Sequence, residues 1–187
     1  MKNLKSLTLI AMAILVLVAT AFTSSPAQAA DDAGRRGPIG NRGQGGNVQG
    51  SVVATTSLTD VEIEGLVAAI QEEYTAMNTY LAIAEKLGDV SPFVRIARSE
   101  QQHVNALIRI AERYGVEAPA NAGEVADIEW STYTEACELG VTFEKLDAAL
   151  YDELLPITSN SALARVYTNL QSASLNKHLP AFESCAQ

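Results

Sequence analysis

Between Phe93 and Tyr114 the chain reads FVRIARSEQQHVNALIRIAERY. Phe93, Ile96, Leu107, Ile110 and Tyr114 recur at the three-and-four spacing that keeps side chains on one helix face. Two members of this stripe are not apolar. Glu100 and His103 occupy it three residues apart, where a core would take leucine. A carboxylate and an imidazole one helical turn apart can grip the same metal ion. The chain has only two histidines, and His103 is one of them. The rest of the sequence is constrained by what must face this pair.

At 187 residues the chain is long enough for one domain with a real core. Residues 1–29 read as a secretory signal peptide. Lys2 and Lys5 precede an apolar run from Leu7 to Ala21, and Ala27-Gln28-Ala29 is a small-x-small cleavage site. The apolar run is short for a membrane span, and no second such run follows. Cleavage near Ala29 would release an exported protein with no membrane segment. It would remove two of the 13 basic residues and none of the 22 acidic ones, for a net charge of −11. That surface disfavours nucleic acid and anionic lipid as partners. Residues 30–57, rich in Gly, Arg, Asn and Gln, read as a flexible linker with little to bury.

The folded domain is expected over 58–187. Thr59 and Glu62 have capping-box spacing, and a first helix runs to about Leu87. Its stripe is Ile63, Leu66, Ile70, Glu73, Met77, Tyr80, Ala84 and Leu87, with one charged intruder, Glu73. Gly88 ends it, and Ser91-Pro92 opens the second helix. A link this short makes the two helices antiparallel neighbours. Folding the hairpin about residue 88 sets Glu73 level with His103. Gly115 closes the second helix, and residues 116–130 are long enough to carry the chain along a bundle.

A third helix is expected from about Ser131 to Leu155. Leu139, Phe143, Leu146, Leu150 and Leu154 give it a broad buried face, beside a second stripe of Cys137, Gly140, Glu144, Asp147 and Tyr151. After Pro156 a fourth helix runs from about Ala162 to the C-terminus, with Leu163, Tyr167, Leu170, His178 and Phe182 inside. Cys137 lies seven residues before Glu144, and Cys185 lies seven after His178. A hairpin registered to join the cysteines therefore also sets Glu144 opposite His178. Two cysteines in an exported protein point to a Cys137–Cys185 disulfide. Pro180 stands against a simple register, since a helix-interior proline kinks the helix and could shift Cys185.

Four helices thus bring Glu73, Glu100, His103, Glu144, Asp147 and His178 towards one buried centre. Burying several carboxylates without cations is costly, and metal ions remove that cost. Carboxylates and imidazoles without thiolates suit iron or manganese, with zinc as a further occupant. One or two ions would fit, two being bridged by shared carboxylates.

Glu73 with Tyr80 seven residues later, followed by Glu100-Gln101-Gln102-His103, resembles the first two helices of the ferritin-like superfamily of carboxylate-bridged di-iron proteins. More closely, residues 58–183 resemble an uncharacterised domain-of-unknown-function family on that fold. The runs that carry the resemblance are QEEYTAMNTYLAI, IARSEQQHVNALIRIAERYGV, ELGVTFEKLDAAL and VYTNLQSASLNKHLPAF. The resemblance implies an all-α, ferritin-like four-helix bundle of two antiparallel hairpins joined by a longer crossover. It implies Glu73 as a terminal ligand, Glu100 and Glu144 as bridges, and His103 and His178 as terminal imidazoles. Tyr80 would hydrogen-bond a ligand. Complete di-iron members carry an acid three residues before the fourth-helix histidine, and here Leu175 stands there. Asp147, one turn beyond Glu144, is the substitute the sequence offers.

The function this implies is metal binding outside the cytoplasm, with ferroxidase-like di-iron chemistry on O₂ or peroxide as the reaction such a site would carry. The competing expectation is a non-enzymatic exported interaction module whose core acids are relics. Which metal, how many ions, any turnover and the oligomeric state are left open by the residues alone.

Overall fold

The computed structural model of the chain describes residues 57–187. The signal peptide expected over 1–29 lies outside the described residues, as does the linker expected over 30–57 apart from Ser57. The domain is an all-α four-helix bundle, and the described residues contain no β-strand.

Helix α1 spans Asp60–Leu87. Its start is the expected capping box: the Thr59 hydroxyl accepts from Glu62 N, and the Glu62 carboxylate accepts from Thr59 N at 2.8 Å. Gly88 ends it with φ 84°, a left-handed cap that glycine adopts without strain. Helix α2, Phe93–Tyr114, follows after five residues and runs back along α1. The next connection lies against α1. Asn78 and Asn121 exchange side-chain hydrogen bonds at 2.8 and 3.1 Å, and Ala126 N donates to Thr79 Oγ1 at 3.0 Å. Lys86, near the end of α1, sits 5.6 Å from the centre of the Trp130 ring. The crossover therefore carries the chain the length of the bundle, and α3 (Tyr133–Leu154) begins beside the end of α1.

The fourth helix is not one rod. It comprises α4 (Ser161–Ala173), a π-helical turn (Ser174–His178) and α5 (Leu179–Cys185). Pro180, at the start of α5, has no N–H for the carbonyl of residue 176, and its ring would crowd that carbonyl in a regular helix. The wider turn absorbs the conflict, with Leu179 N bonding Ser174 O. Pro180 therefore does not carry Cys185 out of register. Cys137 and Cys185 are joined as a disulfide with their Cα atoms 5.8 Å apart.

α1 packs on α2 and α3, and α4 packs on the same two helices. Two apolar clusters fill the bundle. One gathers Leu66, Ile70, Leu107, Tyr151, Leu163 and Tyr167. The other gathers Met77, Tyr80, Phe93, Ile96, Cys137 and Phe182. On α1, Glu73 falls between Ile70 of the first and Met77 of the second, so the charged intruders lie between two apolar plugs. The broad apolar face expected on α3 is only partly buried, because Leu146 is 38% exposed. The stripe through Cys137, Gly140, Glu144 and Tyr151 is the one that faces the core. At Gly140 a Cβ would lie 2.4 Å from the Phe182 ring, so only glycine admits α5 this close to α3.

Glu62 ties the two helix starts at one end of the bundle together. It is 2% exposed, and its Oε1 accepts from Ser159 N and Asn160 N, both at 2.7 Å. Burial raises its pKa, but the hydrogen bonds from Thr59, Asn160 and Ser159 outweigh burial and bring it from 4.5 down to about 2. A depressed carboxyl contributes stability above its unfolded pKa and loses it as pH falls through the folded one. Glu62→Gln is therefore expected to cost about 2 kcal/mol near neutral pH, with the difference from wild type vanishing between about pH 4.5 and pH 2. Urea unfolding of both proteins across that range checks it; a pH-independent difference would contradict it.

Candidate metal centre

Each helix of the bundle contributes to one buried cluster. Glu73 comes from α1, Glu100 and His103 from α2, Glu144 from α3 and His178 from the π turn, and the most exposed of them is His103 at 7%. Two triads form, Glu73–Glu100–His103 and Glu100–Glu144–His178, with the ligand atoms of each within 4.8 Å of one another. Glu100 belongs to both. Its Oε2 is 2.6 Å from His103 Nδ1, and its Oε1 is 2.9 Å from His178 Nδ1. His103 Nδ1 is also 3.1 Å from Glu73 Oε2, and His178 Nδ1 is 3.2 Å from Glu144 Oε2. The two rings stack with centroids 5.3 Å apart. Both hairpin registers read from the sequence, Glu73 with His103 and Glu144 with His178, are the ones observed.

Outside the triads the carboxylates are held by tyrosines from the opposite hairpin. Tyr80 donates to Glu144 Oε1 at 2.6 Å, and Tyr151 donates to Glu73 Oε1 at 2.5 Å. Tyr80 is thus hydrogen-bonded to a candidate ligand, as the resemblance implied, although the ligand lies on α3 and not on its own helix. Tyr151 was not singled out by the sequence reading. The signal was there: Glu144 and Tyr151 repeat the seven-residue spacing of Glu73 and Tyr80. His178 Nε2 is 2.9 Å from Ser99 Oγ, a contact with no sequence signature.

Two expectations change. Leu175 stands where, by the resemblance, complete di-iron members carry an acid facing the centre. The π turn rotates it outwards to 41% exposure and brings Ser174 inside, fully buried. Asp147 is buried beside the cluster but belongs to neither triad. Its Oδ2 accepts from Ser174 Oγ at 2.5 Å, and its Oδ1 has no hydrogen-bond partner among the described residues.

The electrostatics follow from burial and the shared carboxylate. Burial raises Glu100, but hydrogen bonds from His103 and His178 outweigh it and hold its pKa down at about 2. Burial lowers the imidazoles, but Glu100 and Glu73 raise His103 to about 10, and Glu100 and Glu144 raise His178 to about 9. Burial pushes Glu73 up to about 8 and Glu144 above the usual carboxylate range. Burial, with the neighbouring carboxylates Glu73 and Glu100, pushes Asp147 well up. Without a cation, protons on the histidines offset the acids. A cation could replace them, since the donors suit it: carboxylate oxygens and imidazole nitrogens converge, and the two cysteines are committed to a disulfide.

The chain is similar to the uncharacterized protein MJ0754 of Methanocaldococcus jannaschii, with 29% identity over 140 residues that cover 67% of this chain and 75% of that protein. Among solved structures it resembles the crystal structure of hypothetical protein MJ0754 from Methanococcus jannaschii DSM 2661. That match has a TM-score of 0.64 and 26% identity, and covers 73% of this chain and 85% of that one. The model of an uncharacterized protein domain, DUF2202, matches residues 62–185, and the chain belongs to that family.

Proposed function

We propose that this is an exported, ferritin-like dinuclear metal protein, with iron as its metal and O₂ or peroxide as its oxidant. The observation that carries the reading is the pair of buried triads sharing Glu100. Glu73 and His103 would hold one ion, Glu144 and His178 the other, and Glu100 would bridge them. Manganese or zinc would be held by the same donors. Iron held there would supply redox chemistry, its Fe(II)/Fe(III) couple furnishing electrons to the oxidant. The chain's own residues supply the rest. Three glutamates hold the added charge, while Tyr80 and Tyr151 fix the rotation of Glu144 and Glu73. The apolar clusters on either side keep water out. The test is metal analysis of protein purified without chelator, followed by anaerobic Fe(II) loading and measurement of O₂ or peroxide consumption. Stoichiometric consumption of the oxidant on Fe(II) oxidation supports the reading. Two tightly bound ions without consumption would leave a metal-binding protein and remove the oxidase.

A second reading has its own support. His103 and His178, as imidazolium ions, already reach three carboxylates at 2.6 to 3.2 Å. Such a core could stand as a polar network in a non-enzymatic interaction module. Titration separates the two. Metal binding must displace protons from His103 and His178, whose pKa values of about 10 and 9 keep them protonated at neutral pH. Loading is expected to release about two protons or more, with affinity rising as pH increases towards 9. Calorimetry in buffers of different ionisation enthalpy measures the release. Binding without proton release would place the metal elsewhere.

Export rests on the Lys2/Lys5 start, the apolar run and the Ala27-Gln28-Ala29 site. N-terminal sequencing of protein from the culture or periplasmic fraction is expected to begin at Ala30. Intact chain retained in the membrane fraction would refute it.

A further inference from the structure

The two hairpins present matching residues to the centre, with one exception. The first gives Glu73, Tyr80, Glu100 and His103, and the second gives Glu144, Tyr151 and His178, with the glutamate and tyrosine seven residues apart in both. The counterpart of Glu100 would be Leu175, which is 41% exposed on the far side of the π turn. The second hairpin instead has an acid that the first lacks. Asp147 lies one turn beyond Glu144, where the corresponding residue of α1 is Ala76. It is only 6% exposed, and its Oδ1 is a buried oxygen without a hydrogen-bond partner among the described residues. A native core seldom leaves a carboxylate oxygen in that condition without a water or an ion to satisfy it. Ser174, brought inside by the same turn that expels Leu175, holds the other oxygen at 2.5 Å.

Charge gives a separate argument. Two divalent cations carry four positive charges into the site. Glu73, Glu100 and Glu144 supply three negative ones, and the histidines bind as neutral imidazoles. Asp147 supplies the fourth, and an unbalanced buried charge is costly.

We infer that Asp147 is the fourth carboxylate of the dinuclear centre. The inference rests on the dinuclear reading above and makes the centre lopsided: the acid missing from the fourth helix is replaced from α3. Asp147 stands outside both triads, so ligation requires its Oδ1 to turn towards them.

The experiment titrates the mature full-length protein with Co(II), followed by visible absorption and calorimetry, in wild type, Asp147→Asn and Ser174→Ala. Asparagine has the size of aspartate and still accepts from Ser174, so thermal melting of the apo variant should match wild type. Wild type is expected to bind two Co(II) ions. Asp147→Asn is expected to bind the first as wild type does and the second about 30-fold more weakly or not at all. Ser174→Ala is expected to keep both. Two ions bound by Asp147→Asn with wild-type affinities would overturn the inference and leave the dinuclear reading intact. Equal loss of the second ion in both variants would mark the Asp147–Ser174 pair as packing and overturn it too. No Co(II) bound by wild type would remove both readings together.

Discussion

Glu100→Ala is expected to leave the protein without bound metal, whereas Glu73→Ala is expected to retain one ion. The difference lies in how the oxygens are shared. Of the two imidazoles Glu73 reaches only His103, at 3.1 Å, and it belongs to one triad. Glu100 reaches His103 with one oxygen at 2.6 Å and His178 with the other at 2.9 Å, and belongs to both triads. Its removal leaves each triad with one carboxylate and one imidazole, and Asp147 adds at most one further oxygen to the centre, too few donors for a tight site of this kind. The apo protein should suffer as well. Glu100 is the common counter-charge of two imidazolium ions, and breaking such a buried network costs about 3 kcal/mol or more near neutral pH. Loss of stability is therefore expected under either functional reading and decides nothing. The decisive quantity is the metal count after anaerobic loading and desalting. Wild-type occupancy in Glu100→Ala would mean that the ions sit elsewhere, and the triads would then be a polar core.

How much of this centre could be read from the sequence follows from what sets each contact. The hairpin registers depend on spacing along regular helices and one short turn. Glu73 and His103 are equidistant from Gly88, and the cysteines and the Glu144–His178 pair share a seven-residue offset. Both pairings are local consequences of helix geometry and both hold. What failed to read through depends on departures from that geometry. Leu175 sits at the correct spacing from His178 for a regular helix, but Pro180 imposes a π turn that moves it outside and Ser174 in. Leu146 fits an apolar stripe on α3, but packing favours the neighbouring stripe, where Gly140 admits Phe182 and Glu144 meets His178. Tyr151 was visible as one of a stripe but not as a partner of Glu73, because its role depends on α1 and α3 lying side by side. That adjacency is set by the crossover, whose contacts through Asn78, Asn121 and Thr79 no periodicity announces.

Loss of the Cys137–Cys185 disulfide is expected to have the largest effect on folding stability. The bridge joins residues 48 apart, and closing a loop of that size in the unfolded chain contributes about 4 kcal/mol on the chain-entropy model. In a domain of this size that corresponds to a fall in Tm of about 10–15 °C. The native structure gives the bond a second role. Helix α5 has seven residues, too few to stand as an isolated helix. It is held by Phe182, packed 5.0 Å from Tyr80 and 5.2 Å from Phe93 between ring centroids, and by the bond from Cys185 to the fully buried Cys137. His178 is the residue immediately before α5. Reduction should therefore loosen residues 179–185 first and weaken metal binding at His178 before the bundle as a whole opens. Protein made under oxidising conditions should be two hydrogens lighter than the reduced chain by mass spectrometry, with no alkylatable thiol. The Cys137→Ala/Cys185→Ala variant should melt about 10–15 °C lower, and hydrogen exchange should show the protection of α5 lost ahead of α1 and α2. An unchanged Tm on reduction would mean that α5 is secured by Phe182 and the Gly140 cleft alone. Two free thiols in natively produced protein would place it in a reducing compartment and count directly against export.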